Sequence, residues 1–379
     1  MHPLAQEFTV IGQSPERHVF TMEPGLIRLP SGTLLATFPY LSHLRQEPRP
    51  DDYRPPTLNI AISRDGGASW QRIGEHRNWV TATPFLVDGI LYLMGHHADR
   101  QDVVITRSTD EGRSWTPEAT LFKGHFWNCP TGIVFRDGHI YRALGGNEAA
   151  GRETLVIAGD LSQDLLHTVA WRMSNRLPYP GTPKELVRSG KPESGHWLEP
   201  NVVEVQGRLY VLSTVKITSE GGWTTPGLTA LCELQDDGAE LAYRFLQYYP
   251  MPGGQLKFHI IHDAFSGLYW RTMNLPTDTS SPPDPRWQAR GNFGGDRRIL
   301  ALSYSTDALN WVQAASIATT PHPWEGFQYA MPVVDGDDLL VVSRTSLNGV
   351  NQHDTNLITF HRVTDFRSLA LNEIHPRYE

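Results

Sequence analysis

Short apolar runs recur along the chain in pairs, with a tight polar turn between the two members of each pair. Each run is rich in Val, Ile, Leu and Tyr and is too short for a helix, so each pair predicts a strand, a turn and a second strand. Six such hairpins begin at Glu23, Thr83, Cys129, Glu199, Phe258 and Tyr329. Helical periodicity is hard to find anywhere, which argues against a doubly wound α/β fold.

Each hairpin is followed by a loop and a further apolar run, as in "LNIAIS", "DVVITR" and "RILALSY". A fourth run follows where the pattern is clearest, as in "WQRI" and "WVQAA". Six four-stranded antiparallel units predict an all-β, six-bladed β-propeller. Because a propeller closes on itself, we expect residues 1–379 to form one domain.

A turn motif lies between the third and fourth strands of several units: "SRDGGASW" from Ser63, "STDEGRSW" from Ser108 and the shortened "STDALNW" from Ser305. The aspartates can accept backbone hydrogen bonds within the turn, and Gly67 and Gly112 suit positive φ. In the shortened copy Leu309 replaces the glycine, so we expect that turn to differ. The motif therefore predicts a structural role and not a catalytic one.

Composition narrows the choice of partner. The formal charge of −8 and the absence of a basic block argue against nucleic acid and against an anionic membrane. With two cysteines there is no disulfide framework, and no stretch is long and apolar enough to span a membrane. No signal peptide is recognisable, so we expect a cytoplasmic location as written, or a secreted or periplasmic one if a leader was removed. The oligomeric state stays open.

The segments that lead into the innermost strands form the mouth of the predicted channel, and they are rich in histidine and tryptophan. The pairs are His76/Trp79, His125/Trp127, His196/Trp197 and His322/Trp324, and loops on the same face add His43, His96, His97 and His353. Indole rings at a concave mouth suit the apolar faces of sugars, although they could instead only seal the blade tops. No cofactor is expected. A metal held by His96, His97 and Asp99 is left open, because their spacing is not that of a zinc site.

The turn motif and the six hairpins resemble the sialidase (neuraminidase) superfamily of Asp-box, or BNR-repeat, six-bladed propellers. The resemblance implies a tyrosine nucleophile at Tyr329, a glutamate at Glu199 that activates it, and a general acid at Asp51 or Asp52. It also implies that Arg297, with Arg298 beside it, binds a substrate carboxylate.

Two arginines of that family's carboxylate-binding triad have no counterpart here, because Met22 stands at the first position and Thr214, with Lys216 close by, at the second. Each charge-assisted bond of such a triad is worth about 1.5–3 kcal/mol. We therefore expect a carbohydrate-active, sialidase-like retaining exo-glycosidase with a changed specificity, acting on an oligosaccharide or polysaccharide that bears an acidic sugar. A relation to exo-arabinanases, which use a pair of glutamates, is disfavoured because no glutamate lies between Glu240 and Glu325.

Two alternatives stay open. A propeller-type polysaccharide lyase would cut beside a uronic acid with His125, His196, Tyr329 and Arg297. A non-catalytic glycan-binding propeller would predict that Tyr329 and Glu199 do not face each other. In the leading interpretation the substrate-contacting residues are Arg297, Arg298, His96, His97, Trp127, Trp197, Trp324, His322, His353 and Lys216.

Overall fold

The computed structural model describes residues 2–16, 19–42, 56–146, 152–183, 195–219, 222–223, 227–275 and 295–371. Within these ranges the strands form six antiparallel sheets, each with a core of four strands, and in five of the six these strands follow chain order from the centre outwards. The prediction of a six-bladed β-propeller is confirmed. Two short 3-10 helices, Thr168–Ala170 and Phe366–Leu369, interrupt the described strands.

The first three blades follow one another along the chain. Blade 1 contains β2 (Val19–Thr21), β3 (Gly25–Arg28), β4 (Leu34–Ser42), β5 (Thr57–Ser63) and β6 (Gln71–Arg77). Blade 2 contains β7 (Trp79–Val87), β8 (Ile90–His97), β9 (Val103–Ser108) and β10 (Ala119–Phe122). Blade 3 contains β11 (Phe126–Trp127), β12 (Ile133–Arg136), β13 (His139–Gly146), β14 (Glu153–Asp160), β15 (Trp171–Met173) and β16 (Leu177–Pro178).

The second half repeats the plan. Blade 4 contains β17 (Gly195–Val205), β18 (Arg208–Ser219), β19 (Gly222–Trp223), β20 (Leu228–Asp236) and β21 (Leu241–Pro250). Blade 5 contains β22 (His259–Asp263), β23 (Leu268–Asn274), β24 (Ile299–Ser305) and β25 (Val312–Thr319). Blade 6 contains β26 (Gly326–Asp335), β27 (Asp338–Ser346), β28 (Leu357–Val363) and β1 (Thr9–Gln13).

The outermost strand of blade 6 comes from the other end of the chain. Strand β1 pairs with β28, with Thr9 opposite Phe360. A further bridge joins Thr21 to Thr355 beside this seam. The ring is therefore closed by hydrogen bonds between the two ends of the sequence, which leaves blade 6 with a full set of four strands.

The hydrophobic core lies between neighbouring blades. The fully buried indoles of Trp79, Trp197 and Trp270 lie in three separate clusters of this kind. The innermost strands contact one another around the axis: β3 contacts β7, β12 contacts β17, β17 contacts β22, and β22 and β3 both contact β26. Side chains at the ends of these strands therefore converge from different blades.

The repeated turn motif is held by its own side chains. Asp65 Oδ1 accepts a hydrogen bond from Ser63 Oγ at 2.7 Å and from the backbone of Ser69 at 2.9 Å. Gly67 has φ 98°, and a Cβ there would collide with the ring of Phe360. In the shortened copy Ala308 takes positive φ (58°) while Asp307 accepts the backbone N–H of Leu309. This turn does differ, because it keeps one left-handed residue, Ala308, where the other two copies have two each: Gly66 and Gly67, and Glu111 and Gly112.

No helix in the described part of the chain is long and apolar enough to cross a membrane.

Candidate active site

The two residues expected to carry the chemistry occupy matching irregularities in blades 4 and 6. The register of β17 against β18 shifts between Leu198 and Asn201, and that of β26 against β27 shifts between Gln328 and Met331. Glu199 and Tyr329 lie in these bulges with φ 52° and 51°. A non-glycine residue held there costs about 1–3 kcal/mol, so the surrounding structure must fix it. Bulges re-aim side chains, and here they turn both towards the axis.

The two side chains meet. Tyr329 donates its phenolic hydrogen to Glu199 Oε1, with an O–O distance of 2.7 Å. The other carboxylate oxygen of Glu199 accepts a hydrogen bond from Thr214 at 3.2 Å. Glu199 is almost fully buried and Tyr329 is half-buried. The carboxylate is therefore oriented at one oxygen and can receive the phenol proton at the other.

The phenol is strongly held in its neutral form until a base removes its proton. Burial raises the pKa of Tyr329 well above its usual value, and the nearby carboxylates of Glu199 and Glu23 raise it further. Arg344 acts in the opposite direction. A tyrosine in this setting reacts only if its proton leaves as the new bond forms, and Glu199 is the acceptor in reach.

Arg297 lies beside this pair, as the resemblance implies. Its guanidinium is 2% exposed, its backbone N–H donates to Gln352 Oε1, and its Nη1 donates to the carbonyl of Gly295 at 3.3 Å. Burial lowers the pKa of Arg297, while the neighbouring Tyr329 and Glu199 favour its charged form. Among the described residues no carboxylate forms a salt bridge with Arg297. A buried cation without such a partner is costly, and an anionic group of a bound ligand would reduce that cost.

Lys216, on β18 of blade 4, lies near the carboxylate of Glu199. It is half-buried and lies opposite His196 in the register of β17 and β18. Burial lowers the pKa of Lys216, and Glu199 opposes that effect. Arg298, by contrast, is occupied: it donates to both carboxylate oxygens of Asp296, at 2.9 and 2.7 Å. The expectation that Arg298 contacts substrate therefore loses support.

Two further charged residues of the site were missed by sequence reasoning. Arg344, fully buried on β27, donates to Glu23 Oε1 at 3.2 Å, and its guanidinium carbon lies 5.3 Å from the ring centre of Tyr329. Arg344 follows Tyr329 at the same spacing at which Thr214 follows Glu199. Aligning blade 6 with blade 4 in sequence would have found Arg344, and aligning blade 1 with blade 4 would have found Glu23, because it precedes a proline at the start of its hairpin as Glu199 does.

Lys257 completes the buried set. Its Nζ donates to the carbonyl of Ala330 at 2.6 Å, next to Tyr329 in the chain. Burial lowers the pKa of Lys257 to about 8, although Glu199 and Glu23 lie close enough to oppose the shift. The described cluster thus contains two carboxylates, Glu23 and Glu199, and a larger number of cations.

Three of the residues expected to contact substrate are packed inside the protein instead. Trp197 is fully buried in the core between blades, and its Nε1 donates to the carbonyl of Arg152. His96 is fully buried and accepts the backbone N–H of Asn128 at 3.1 Å. His97 is buried against Glu118, with Nε2 2.8 Å from the carboxylate. The substrate-binding roles expected for these three are corrected, because packing and internal hydrogen bonds already use them.

Of the other described histidines and tryptophans of the mouth, Trp79 is fully buried and the rest are at least partly accessible. His125 is exposed and hydrogen-bonded to Gln101, and His322 is exposed. His353 is paired with Asp354 at 2.9 Å, and burial lowers the pKa of His353 to about 3. Half-buried side chains complete this group: Trp127, His196 and Trp324.

The candidates for the general acid, Asp51 and Asp52, lie outside the described residues, and so does His43. Within the described ranges no group of three or more His, Cys, Asp or Glu side chains is arranged to hold a metal ion.

A cavity of about 690 Å³ lies at the other end of the ring, and it is lined mainly by apolar side chains near the hairpin turns, including Phe135, Ile260 and Pro332. Neither Tyr329 nor Glu199 lines it. The chemical groups of the site and this cavity are therefore at opposite faces of the channel.

Known structures share this architecture. The chain superposes on a Trypanosoma rangeli sialidase in complex with sialic acid with a TM-score of 0.62 and 13% identity, over 96% of this chain and 59% of that one. It superposes on a GH93 α-L-arabinofuranosidase of Fusarium graminearum with a TM-score of 0.57 and 12% identity, over 95% and 98% of the two chains. A Dyadobacter fermentans protein of unknown function gives a TM-score of 0.60 at 12% identity, over 95% and 98%.

The likeness extends to the fold. The sialidase and the arabinofuranosidase are glycosidases that fold as six-bladed propellers, and this chain has the same fold. It spans 59% of the length of the sialidase chain. No protein-family model and no curated protein matches the sequence. At 12–13% identity, substrate and activity must be argued from the site itself.

Proposed function

We propose that this protein is a retaining exo-glycosidase that acts on a glycan bearing an acidic sugar. The observation that carries the proposal is the 2.7 Å hydrogen bond from Tyr329 to Glu199. These residues come from blades 6 and 4, and both are held in strained bulges whose side chains converge. A purely glycan-binding propeller gives no reason for that convergence.

The chemistry follows from the contact. Tyr329 Oη attacks the anomeric carbon while Glu199 accepts the phenol proton, and the glycosidic bond breaks as an acid protonates the leaving oxygen. Asp51 or Asp52 is proposed as that acid. In the second step Glu199 returns its proton to Tyr329 as water, deprotonated by the same aspartate, displaces the sugar from the tyrosine. Two displacements at one carbon retain its configuration.

The preference for an acidic sugar rests on charge. Arg297 is a buried guanidinium without a carboxylate partner in the described ranges, and it lies beside the nucleophile. An anionic group of the substrate would supply that partner through a charge-assisted bond. Because Arg297 is the one arginine of the family's triad that this chain keeps, the substrate need not be a sialic acid.

The elimination alternative has weaker support. Burial lowers the pKa of His196 to about 4, with Lys216 nearby, so this imidazole is a weak base at neutral pH. His125 is exposed and bonded to Gln101.

The test is a digest of an acidic glycan panel read in two ways, for reducing sugar released and for the ultraviolet absorbance of an unsaturated uronate. Release without absorbance is expected. Absorbance would replace hydrolysis with elimination, and binding without either product would replace catalysis with recognition. Proton NMR of the first-formed sugar then tests retention, because an inverting enzyme releases the opposite anomer.

A further inference from the structure

Tyr329 holds a backbone conformation that bulky residues rarely adopt, so neighbouring groups must keep it there. Hydrogen bonds hold the residues on either side of Tyr329, Gln328 and Ala330. Gln328 Nε2 donates to the carbonyls of Gln352 and His353 at 2.8 Å, and Lys257 donates to the carbonyl of Ala330. These bonds hold the main chain, but they leave the direction of the phenol ring to other contacts.

Arg344 provides a fixed surface against that ring. Its guanidinium carbon is 5.3 Å from the ring centre, within the range of cation–π attraction. Three of its nitrogens are used: Nη1 donates to Glu23, Nε to Thr355 at 3.0 Å, and Nη2 to the carbonyl of His353 at 2.7 Å. A planar guanidinium bonded at three corners has one orientation, so the ring that packs on it is held as well.

The partners of Arg344 span the seam that closes the propeller. Glu23 precedes β3 of blade 1, whereas Arg344 lies in blade 6. Thr355, which accepts from Arg344, donates in turn to the carbonyl of Thr21 at 3.0 Å. Glu23 is 2% exposed, and no group in the described ranges hydrogen-bonds to its Oε2. Within those ranges Arg344 forms the salt bridge with the carboxylate of Glu23.

We propose that Glu23 and Arg344 form a positioning pair for Tyr329, an ion pair across the closing seam that aims the phenol oxygen at Glu199 and at the reacting carbon. The proposal rests on the proposed function, in which Tyr329 is the nucleophile. Arg344 is fully buried, and its Nε, Nη1 and Nη2 already donate to groups of the protein. The effect of the pair therefore reaches the reaction through the position of Tyr329.

A variant that tests this pair must leave the net charge around Tyr329 unchanged. Glu199, Glu23, Arg344 and Arg297 all face the phenol, and removing Arg344 alone would leave the carboxylates less balanced. The double variant Glu23→Gln/Arg344→Met removes both charges of the pair and keeps side-chain volume. It also avoids a buried charge without a partner, the usual reason that such single variants fail to fold.

Kinetics give the first test. We expect the double variant to lower kcat about 100-fold, the effect of a misplacement near 1 Å, while KM stays within about twofold. Arg344→Lys, which keeps the charge but loses the planar fork, should recover part of kcat. Asp263→Asn/Arg367→Met is the matched control, because Arg367 also pairs with a buried aspartate, Asp263, and packs over a ring, that of Phe366. Unchanged kcat in a folded double variant, or a change in KM alone, would overturn the proposal.

A second readout does not need activity. In protein labelled with ¹³Cζ-tyrosine, the Tyr329 signal is assigned by its loss in Tyr329→Phe. We expect this signal to move in the Glu23→Gln/Arg344→Met variant and to stay in place in the Asp263→Asn/Arg367→Met control. If the signal moves but the wild-type protein cleaves no glycan, the proposed function fails while the positioning pair stands. If the wild type is a hydrolase and neither signal nor kcat responds, the positioning pair fails and the function stands.

Discussion

The repeated turns and the channel mouth both carry acidic residues with several hydrogen bonds, but they obtain their partners differently. Asp65 and Asp110 are satisfied by serines and backbone groups within four residues in the chain. Glu199 takes its hydrogen bond from Tyr329, which is 130 residues away. A carboxylate satisfied within its own turn stabilises that turn, whereas one satisfied only by the closed ring is available for chemistry.

Backbone strain differs between the two regions in degree. In the turns glycines take three of the left-handed positions, Gly66, Gly67 and Gly112, where the conformation has little steric cost, and Glu111 and Ala308 take two more. At the mouth they are taken by Glu199 and Tyr329, where it is costly. The predictions below should therefore have large effects at the mouth and small effects in the turns.

The largest effect is expected for Tyr329→Phe, which removes the proposed nucleophile and leaves the ring in place. We expect kcat to fall by at least about 1,000-fold. The control is Tyr243→Phe, since Tyr243 is also buried and hydrogen-bonded, to Thr154 at 3.1 Å. A Tyr329→Phe variant with full activity would remove the nucleophile assignment.

Glu199→Gln is expected to lower kcat by about 100- to 10,000-fold, the range of general-base catalysis. The amide keeps the shape of the side chain but cannot take the phenol proton. Its fold is checked by the melting temperature, and the same rate with glutamine would mean that another group accepts the proton.

Arg297→Met is expected to lower kcat/KM on an acidic substrate by roughly 10- to 100-fold, the value of one charge-assisted hydrogen bond. On a substrate whose carboxyl is reduced to an alcohol the loss should be much smaller. Equal losses on both substrates would show that Arg297 does not select for the acid.

Lys257→Met tests the charge balance of the site through stability. The pKa of Lys257 is about 8 in the folded protein, below its ordinary value of 10.5, so between these values the unfolded chain binds more protons. Stability of the wild type should therefore gain up to about 1.4 kcal/mol per pH unit across this window relative to Lys257→Met. Denaturant titrations from pH 7 to 10.5 measure the difference, and parallel profiles would contradict it.

The smallest effect is expected in the turn. Asp65→Asn removes a carboxylate whose pKa is held at about 2 by its hydrogen bonds to Ser69 and Ser63. We expect a fall in Tm of about 1–2 °C and no change in kcat, because Asp65 is exposed and far from the mouth. A loss of activity without loss of fold would break the division between the two regions.

Much of this could be predicted without coordinates. Glycine turns and paired apolar runs recur six times, and local turn chemistry is read from neighbouring residues, so the six blades and the role of the turn motif follow. Glu199, Tyr329 and Arg297 were located through the resemblance to sialidases, which gives each of them a place beside a strand or a turn. Trp197, by contrast, was expected at a subsite and is buried, because the histidine and tryptophan pattern does not say which side of a strand faces a neighbouring blade.

The sequence alone therefore determined the strand order and the positions where chemistry could occur, since both depend on residues close together in the chain. Only the closed ring decided that Tyr329 donates to Glu199, that Arg344 packs beneath the ring with Glu23, and that His96 and His97 are used internally. These contacts join different strands and in part different blades, some of them hundreds of residues apart. Their geometry is set by bulges and by ring closure, which leave no local pattern in the sequence.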